Sequence, residues 1–433
     1  MRNILLLSLA LFVNVGSATE KVKIDQNAYL IVHSTGRFKF ELSSLKPDKN
    51  RLVLLTSGQG RKTLREKDKN VFVKIIETED FSENSIVEIY LATKEILGVN
   101  DSKKFPIITH DEYSMASVAK ARDIVGSGGP SYQTIGKFTD KILMKQALRK
   151  ADVRLPLYQK FNPNLYTADP SGYLSQIEKM KYPLFTKKTG GTCSEGIAKI
   201  DNKKDLESWC ESHKNDHDYE IDEYISGDLF HCETIVKEGR ILDFYCCGTP
   251  YPDAQFILDG KPLGSMILPT ENSDYKALYD FNYKVFDALT PPDGVTHLEV
   301  FKKENGELVF VEIAARSPGS LVPFLYEAHS GVNLQQLHYQ IQMKLPISVT
   351  RKKDGSYYAF IWFASRNGTI SKFNDPDIKS EYSLTWKAKV GDKISGSEEV
   401  RDRLGEIVLW NKNFDQLSRD FYYLSNDYRP YEF

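Results

Sequence analysis

HLEVFKKENGELVFVEIAAR, residues 297–316, consists of two alternating apolar and polar runs about the dipeptide Asn305-Gly306. Asn-Gly between such runs is the strongest short-range signal for a β-hairpin closed by a two-residue turn. Positions symmetric about that turn face each other, and Glu299 and Glu312 are such a pair. Their β-carbons are expected roughly 4.5–5.5 Å apart on one face of the sheet. Like charges placed opposite each other weaken a sheet, so a cation is expected between them. Hard carboxylate oxygens suit Mg2+ or Mn2+, which complete their shell with water and substrate phosphate. Period-two alternation puts His297, Ala314 and Arg316 on the same face. A guanidinium there can neutralise a phosphoryl group in transfer or grip a substrate carboxylate. A solvated hairpin face, with Lys302 or Lys303 nearby, is the competing reading.

Upstream, YPLFTKKTGGTCSEGIAKI (182–200) delivers Lys187 and Lys188 from a strand-like run into a loop with Gly190, Gly191, Ser194 and Gly196. Glycines let backbone amides close on phosphate oxygens, and a lysine at the strand end adds a point charge. Neither a GxxxxGK[ST] loop nor a GxGxxG strand-to-helix turn is present. Next, YEIDEYISGDLFHCETIV (219–236) alternates with acids at Glu220, Asp222, Asp228 and Glu233. A strand edge here could offer backbone groups to an adenine. Before both, Phe138, Ile142, Leu143, Ala147 and Leu148 recur at helical spacing, with Thr139 or Asp140 as the cap and Lys141 and Lys145 on the helix.

The N-terminal part alternates β-branched runs, YLIVHS (29–34), RLVLLTS (51–57) and VFVKII (71–76), with a helix-length segment at 82–98. That pattern predicts a small α/β layer with a largely parallel sheet. GSGGPSYQT (126–134) breaks it and marks a boundary. Helices are expected at about 274–289 and 323–343, followed by a strand-rich tail that includes YYAFIWFA (357–364).

At 433 residues the chain is long enough for two or three lobes. Its 57 basic and 59 acidic residues nearly balance, leaving no electrostatic footprint for nucleic acid or an anionic membrane. The stretch MRNILLLSLALFVNVGSA reads as a signal peptide over residues 1–19, too short to span a bilayer comfortably. It points to export, whereas cysteines that form no framework point to a cytosolic working site, in the chain's own cell or a host's. Five cysteines, with Cys246 and Cys247 adjacent and no CxxC, read as reduced core thiols.

In this order the segments resemble the ATP-grasp superfamily, which includes D-alanine-D-alanine ligase, biotin carboxylase and the L-amino acid ligases. TDKILMKQALRKADVRLPLY is similar to the family's DK-helix-AGV-P element, YPLFTKK to its strand-KP, and the glycine loop to its lid. DEYI resembles the EEYI hinge, and HLEVF with FVEIAARSPG the metal strands. The likeness covers about residues 25–345. It implies an α/β (α+β) fold with a pre-ATP-grasp domain over 20–125 and a two-lobed ATP-grasp domain over 126–345, its lid lobe at about 155–225. A strand-rich region would occupy 346–433.

By position the resemblance implies that Lys141 and Lys187 contact ATP phosphates beneath a lid from Gly190 to Gly196, with Gly190, Gly191 and Ser194 meeting the nucleotide. Asp222, Glu223, Tyr224 and Ile225 would meet the adenine side, Glu299 and Glu312 would hold Mg2+, and Arg316 would steady the phosphoryl intermediate. Several positions depart from the family. Ala314 stands where an asparagine ligand is usual, Lys188 replaces a proline, and Leu229 occupies the place of a ribose-binding glutamate, leaving Asp228 or His231 as substitutes. GDLFHCE, HLEVF and EIAAR are most similar to an amino acid ligase-like branch. The implied activity is carboxylate–amine ligation through an acyl phosphate, with small-molecule carboxylate and amine substrates and possible homo-oligomers. A biotin carboxylase-like subunit acting on bicarbonate and a non-catalytic ATP-binding protein are the alternatives.

Overall fold

The computed structural model describes residues 27–34, 38–191, 195–351, 355–397 and 399–433. Residues 1–19, Cys193 and Ser194 lie outside them.

Strands β1 (Asn27–Val32), β2 (Asn50–Thr56), β3 (Lys74–Glu77) and β4 (Ile107–Thr109) form a parallel sheet in the order β3-β2-β1-β4. β1, β2 and β4 are largely apolar and buried because both faces are covered, whereas the edge strand β3, KIIE, is part-exposed. Ile86 and Tyr90 of helix Glu83–Ile96 and Val118 and Ala121 of helix Glu112–Val125 pack on one face. On the other, Tyr339 of helix Leu334–Gln342 and Met343 join Tyr29, Ile31 and Leu52 in one core. A helix some 300 residues downstream thus seals the N-terminal sheet.

Strands β5 (Tyr158–Lys160), β6 (Leu184–Lys188), β7 (Ala198–Ile200) and β8 (Tyr219–Glu223) form an antiparallel sheet, β5-β8-β6-β7. Its core gathers Phe161, Tyr173 and Trp209 over Leu184 and Ile221.

The third sheet is the largest. Its early members are β9 (Asp228–Lys237), β10 (Arg240–Gly248), β11 (Leu263–Ile267), β12 (Gly294–Lys302) and β13 (Leu308–Ala314). After β14 (Tyr357–Ala364) come β15 (Gly368–Thr369), β16 (Lys372–Phe373), β17 (Glu381–Trp386), β18 (Lys393–Ile394), β19 (Arg403–Asn411) and β20 (Tyr431–Glu432). Eight strands run antiparallel in the order β13-β12-β9-β10-β11-β14-β19-β17, with β15 and β18, and β16 and β20, as short ribbons. The strand-rich tail therefore extends the large sheet rather than building one of its own. Helix Tyr275–Leu289 packs on one face, and helices Val322–Ser330 and Leu334–Gln342 on the other.

Local signals explain most of the element ends. Asp140 caps helix Lys141–Leu148, its Oδ1 accepting from the amides of Ile142 (2.8 Å) and Leu143 (3.0 Å). The single helix expected over 323–343 is two. Gly331 ends the first at φ +73°, and the Asn333 side chain caps the second.

The hairpin also departs from expectation. The Lys303 amide donates to the Glu307 carbonyl at 2.9 Å, so the loop holds three residues, Glu304 to Gly306, with Gly306 at φ +84°. The ladder near the turn is consequently one residue out of the expected register, pairing Val300 with Phe310. A bulge at Val311 takes up the extra residue, and beyond it Glu299 faces Glu312 and His297 faces Ala314.

Candidate active site on the β9–β12–β13 wall

Three neighbouring strands put one row of polar side chains on the wall of a cleft of about 1150 Å³. Register sets His231 of β9 against Glu299 of β12, Glu233 against His297, and Glu299 against Glu312 of β13. Glu233 is fully buried and holds the floor of this row. Its Oε1 accepts from Nδ1 of His231 (2.7 Å) and of His297 (2.8 Å), while the Tyr326 hydroxyl donates to Oε2. Burial opposes charge on both imidazoles, but Glu233 outweighs it and lifts their pKa values to about 10 and 9. Burial likewise opposes the Glu233 carboxylate, and the two imidazoles bring it down to about 2. His231, Glu233 and His297 have the spacing of a metal-ligand cluster. Their donor atoms, however, are spent on one another. His297 is turned so that Nε2 lies 3.6 Å from Glu299 Oε1.

A lysine stands beside one member of the carboxylate pair. Lys141 Nζ lies 3.0 Å from Glu312 Oε2 and donates to the Gly191 carbonyl at 2.9 Å. Burial would raise the Glu312 pKa, but Lys141 and Lys187 hold it at about 2. Lys187 projects from β6, 3.4 Å from Asp222 Oδ2 and 3.6 Å from Glu220 Oε1. Behind it Lys145, wholly buried, donates to both Asp222 oxygens at 2.8 and 2.7 Å and lies 3.0 Å from Glu220. Burial pushes Lys145 down and Glu220 up, and the two lysines and two acids offset one another. Burial also opposes charge on Lys187, yet Asp222, Glu220 and Glu312 carry its pKa above the ordinary lysine range. It therefore stays a cation at the mouth of the cleft.

Arg316 follows β13 and is anchored from the N-terminal part of the chain: its Nη2 lies 2.5 Å from Glu112 Oε2, and Nη1 donates to the Ser317 carbonyl at 3.0 Å. On the β8 side, Phe185 and Tyr224 bring their rings to 6.4 Å, beside Glu223 and Ile225. Two aromatic rings, tilted 55° to each other, thus add apolar surface to the cleft that the lysines line.

No protein-family model matches the chain. An L-arginine-specific L-amino acid ligase of Bacillus subtilis is 25% identical over 334 residues, 74% of this chain and 75% of the relative. A D-alanine–D-alanine ligase of Bacillus pumilus is 24% identical over 232 residues, half of this chain and 61% of that protein. In three dimensions the chain is similar to the crystal structure of an L-amino acid ligase from Bacillus licheniformis, with TM-score 0.68 and 16% identity over 93% of this chain and 97% of the other. The chain has the ATP-grasp fold. A carboxyaminoimidazole ribonucleotide synthase from Aspergillus clavatus, solved with ATP, shares the fold at TM-score 0.64 and 14% identity over 92% and 97% of the two chains.

Within the ATP-grasp frame, Lys141, Lys187, Gly191, Glu223, Tyr224, Ile225, His231, Glu299, Glu312 and Arg316 all line the one cleft. Asp222, expected beside the adenine, lines it too, but both its oxygens are committed to Lys145. Asp228 does not line the cleft, because it is exposed at the end of β9 opposite Lys302. Gly190 is exposed beside Thr189, whose carbonyl accepts the Lys141 amide at 2.8 Å. Lys302 and Lys303, the alternative partners of the hairpin acids, pair instead with Asp274 (2.5 Å) and Glu307 (2.7 Å). Cys210, Cys232, Cys246 and Cys247 are buried free thiols. Among the described residues no helix is long and apolar enough to cross a membrane.

Sequence reasoning missed the partnership of Lys145 with Glu220 and of Arg316 with Glu112. A signal for the first lay in the Lys141–Lys145 spacing, which puts both ammonium groups on one helical face. For the second no local signal exists, because 204 residues separate the partners.

Proposed function

We propose that the chain is an ATP-dependent, Mg2+-requiring ligase that joins a carboxylate to an amine through an acyl phosphate, with amino acids on both sides. One observation carries this reading: Glu299 and Glu312 face each other on a cleft wall where Lys141, Lys187 and Arg316 also converge. Paired hard oxygens beside two ammonium groups fit a metal–triphosphate better than a metal alone. Glu299 and Glu312 would hold the magnesium without the usual asparagine, since Ala314 has no donor. When bound, the metal neutralises charge on the phosphate oxygens.

The chain's own groups do the remainder. Lys187, kept charged by Asp222 and Glu220, and Lys141 present ammonium groups to the terminal phosphates. Phe185 and Tyr224 offer aromatic surface for the base. Arg316, braced by Glu112, aims its guanidinium where a substrate carboxylate attacks the terminal phosphate and leaves ADP. The amine then displaces phosphate from the acyl phosphate. The Gly191 carbonyl accepts from Lys141 and ties this backbone to the phosphate-facing ammonium.

The test is a product balance. The full chain, given ATP, Mg2+ and amino acid mixtures, is expected to release ADP and phosphate in equal amounts with one dipeptide per turnover, the dipeptide being identified by mass spectrometry. ATP binding without amino acid-dependent turnover would make it a nucleotide-binding protein. ADP release dependent on bicarbonate would favour the carboxylase-like alternative.

A further inference from the structure

Beyond Arg316 the cleft changes character. Lys39, Arg316 and Arg401 line it, and Arg403, close enough to act on Lys39, stacks on Trp362 at 4.0 Å. Each arginine has a carboxylate of its own: Arg316 has Glu112 at 2.5 Å, Arg401 has Glu399 at 2.5 Å, and Arg403 has Glu406 at 2.7 Å. Lys39 differs. Among the described residues no carboxylate lies within ion-pair distance of its ammonium, which donates to the Ser320 carbonyl at 2.7 Å.

Lys39 is also held in place with unusual care for an exposed lysine. Its backbone amide donates to Gln335 Oε1 at 2.6 Å, and its carbonyl accepts from Asn333 Nδ2 at 2.8 Å. Both amide side chains are buried, and Asn333 also donates to Glu327 Oε2 at 2.8 Å. Two residues nearly 300 positions away thus fix this stretch of backbone and leave the ammonium facing the cleft. The group is open to solvent in the cleft yet hemmed in by protein. That crowding, with Arg316 and Arg403 adding repulsion, brings its pKa to about 8. An anion would relieve that repulsion, and among the described residues no carboxylate does so.

We propose that Lys39 receives a second anionic group of the substrate, so that the ligase takes an acidic amino acid or comparable dicarboxylate. The inference rests on the ligase reading and names its substrate class. A cationic side chain placed here would meet Lys39, Arg316 and Arg403, so the preference named for the Bacillus subtilis relative, L-arginine, is not expected at this end of the cleft. A charge-assisted hydrogen bond from a fixed ammonium discriminates a carboxylate from the isosteric amide.

The experiment compares L-glutamate with L-glutamine, and L-aspartate with L-asparagine, as partners of an amino acid mixture. Wild type is expected to favour the acid of at least one pair by about tenfold or more in kcat/KM, the value of one good charged contact. Lys39→Met should erase that preference while leaving the amide's value within about twofold, and Lys39→Arg should restore it. Equal use of acid and amide by wild type, or a preference that survives in Lys39→Met, overturns the proposal. So does a rise in KM for ATP that is the same for acid and amide, since the anion would then be a phosphate. Calorimetric titration of the same four amino acids in the presence of a non-hydrolysable ATP analogue keeps the two readings apart. Lys39-dependent binding of the acid without turnover would retain the subsite and reject the ligase.

Discussion

Glu312 concentrates the chemistry of the site in one carboxylate, since Lys141 touches it, Glu299 faces it and Arg316 follows it four residues on. Glu312→Gln keeps the shape and removes the charge. The expected result is a loss of amino acid-dependent ADP release on the order of 10²-fold or more, with circular dichroism and the urea midpoint close to wild type. Activity within a few-fold of wild type would move the site elsewhere. The facing of Glu299 and Glu312 was legible in HLEVFKKENGELVFVEIAAR because antiparallel register is arithmetic about a turn. The turn itself was read wrongly, with a three-residue loop in place of two. The pair still faces because the bulge at Val311 restores the offset. Asp222, which the family resemblance sets on the adenine side, lines the cleft and also binds the two lysines Lys145 and Lys187.

Elements meet at a tight joint between the β5-β8-β6-β7 sheet and the large sheet. Gly227 lies between β8 and β9, and a β-carbon there would come within 2.3 Å of the Lys302 carbonyl at the end of β12. Gly227→Ala must therefore push the backbone of β9 and β12 apart. A destabilisation of about 1–3 kcal/mol in urea denaturation is expected, the range for overpacking a closed contact. An unchanged midpoint would show that the joint yields without cost. The strands and helices themselves were largely readable. Continuous apolar runs announced the buried parallel sheet, and Asp140 announced the helix it caps. The break at Gly331 was overlooked because apolar residues keep helical spacing across it, whereas its φ of +73° lies outside the helix.

Across the whole molecule, the contact between the N-terminal sheet and helix Leu334–Gln342 makes stability depend on pH. His338, 3% exposed, accepts from the Val295 amide at 3.0 Å and lies 3.2 Å from the Thr109 carbonyl. Burial lowers its pKa from 6.5 to about 4, and burial lowers that of His110 as well. The unfolded chain therefore binds the His338 proton first, and stability falls as pH drops through the interval from 6.5 to 4. Between pH 7 and 5 the loss from His338 alone is about 2 kcal/mol. His231 and His297, whose pKa values are raised, act with the opposite sign: their stabilisation is complete below 6.5 and is lost as pH climbs through 9 to 10. Urea midpoints of wild type and His338→Asn at pH 7 and 5 isolate the term, since the variant should lose less on acidification. Equal losses would reject it. By itself the sequence determined the elements, the carboxylate pair and the ATP-grasp likeness, because periodicity, turn chemistry and strand register act over a few residues. Only the tertiary structure decided that Lys145 is buried against Glu220 and Asp222, that Glu112 braces Arg316, and that Asn333 and Gln335 hold Lys39 in the cleft. Those contacts join residues far apart in the chain, and only long-range packing brings them together.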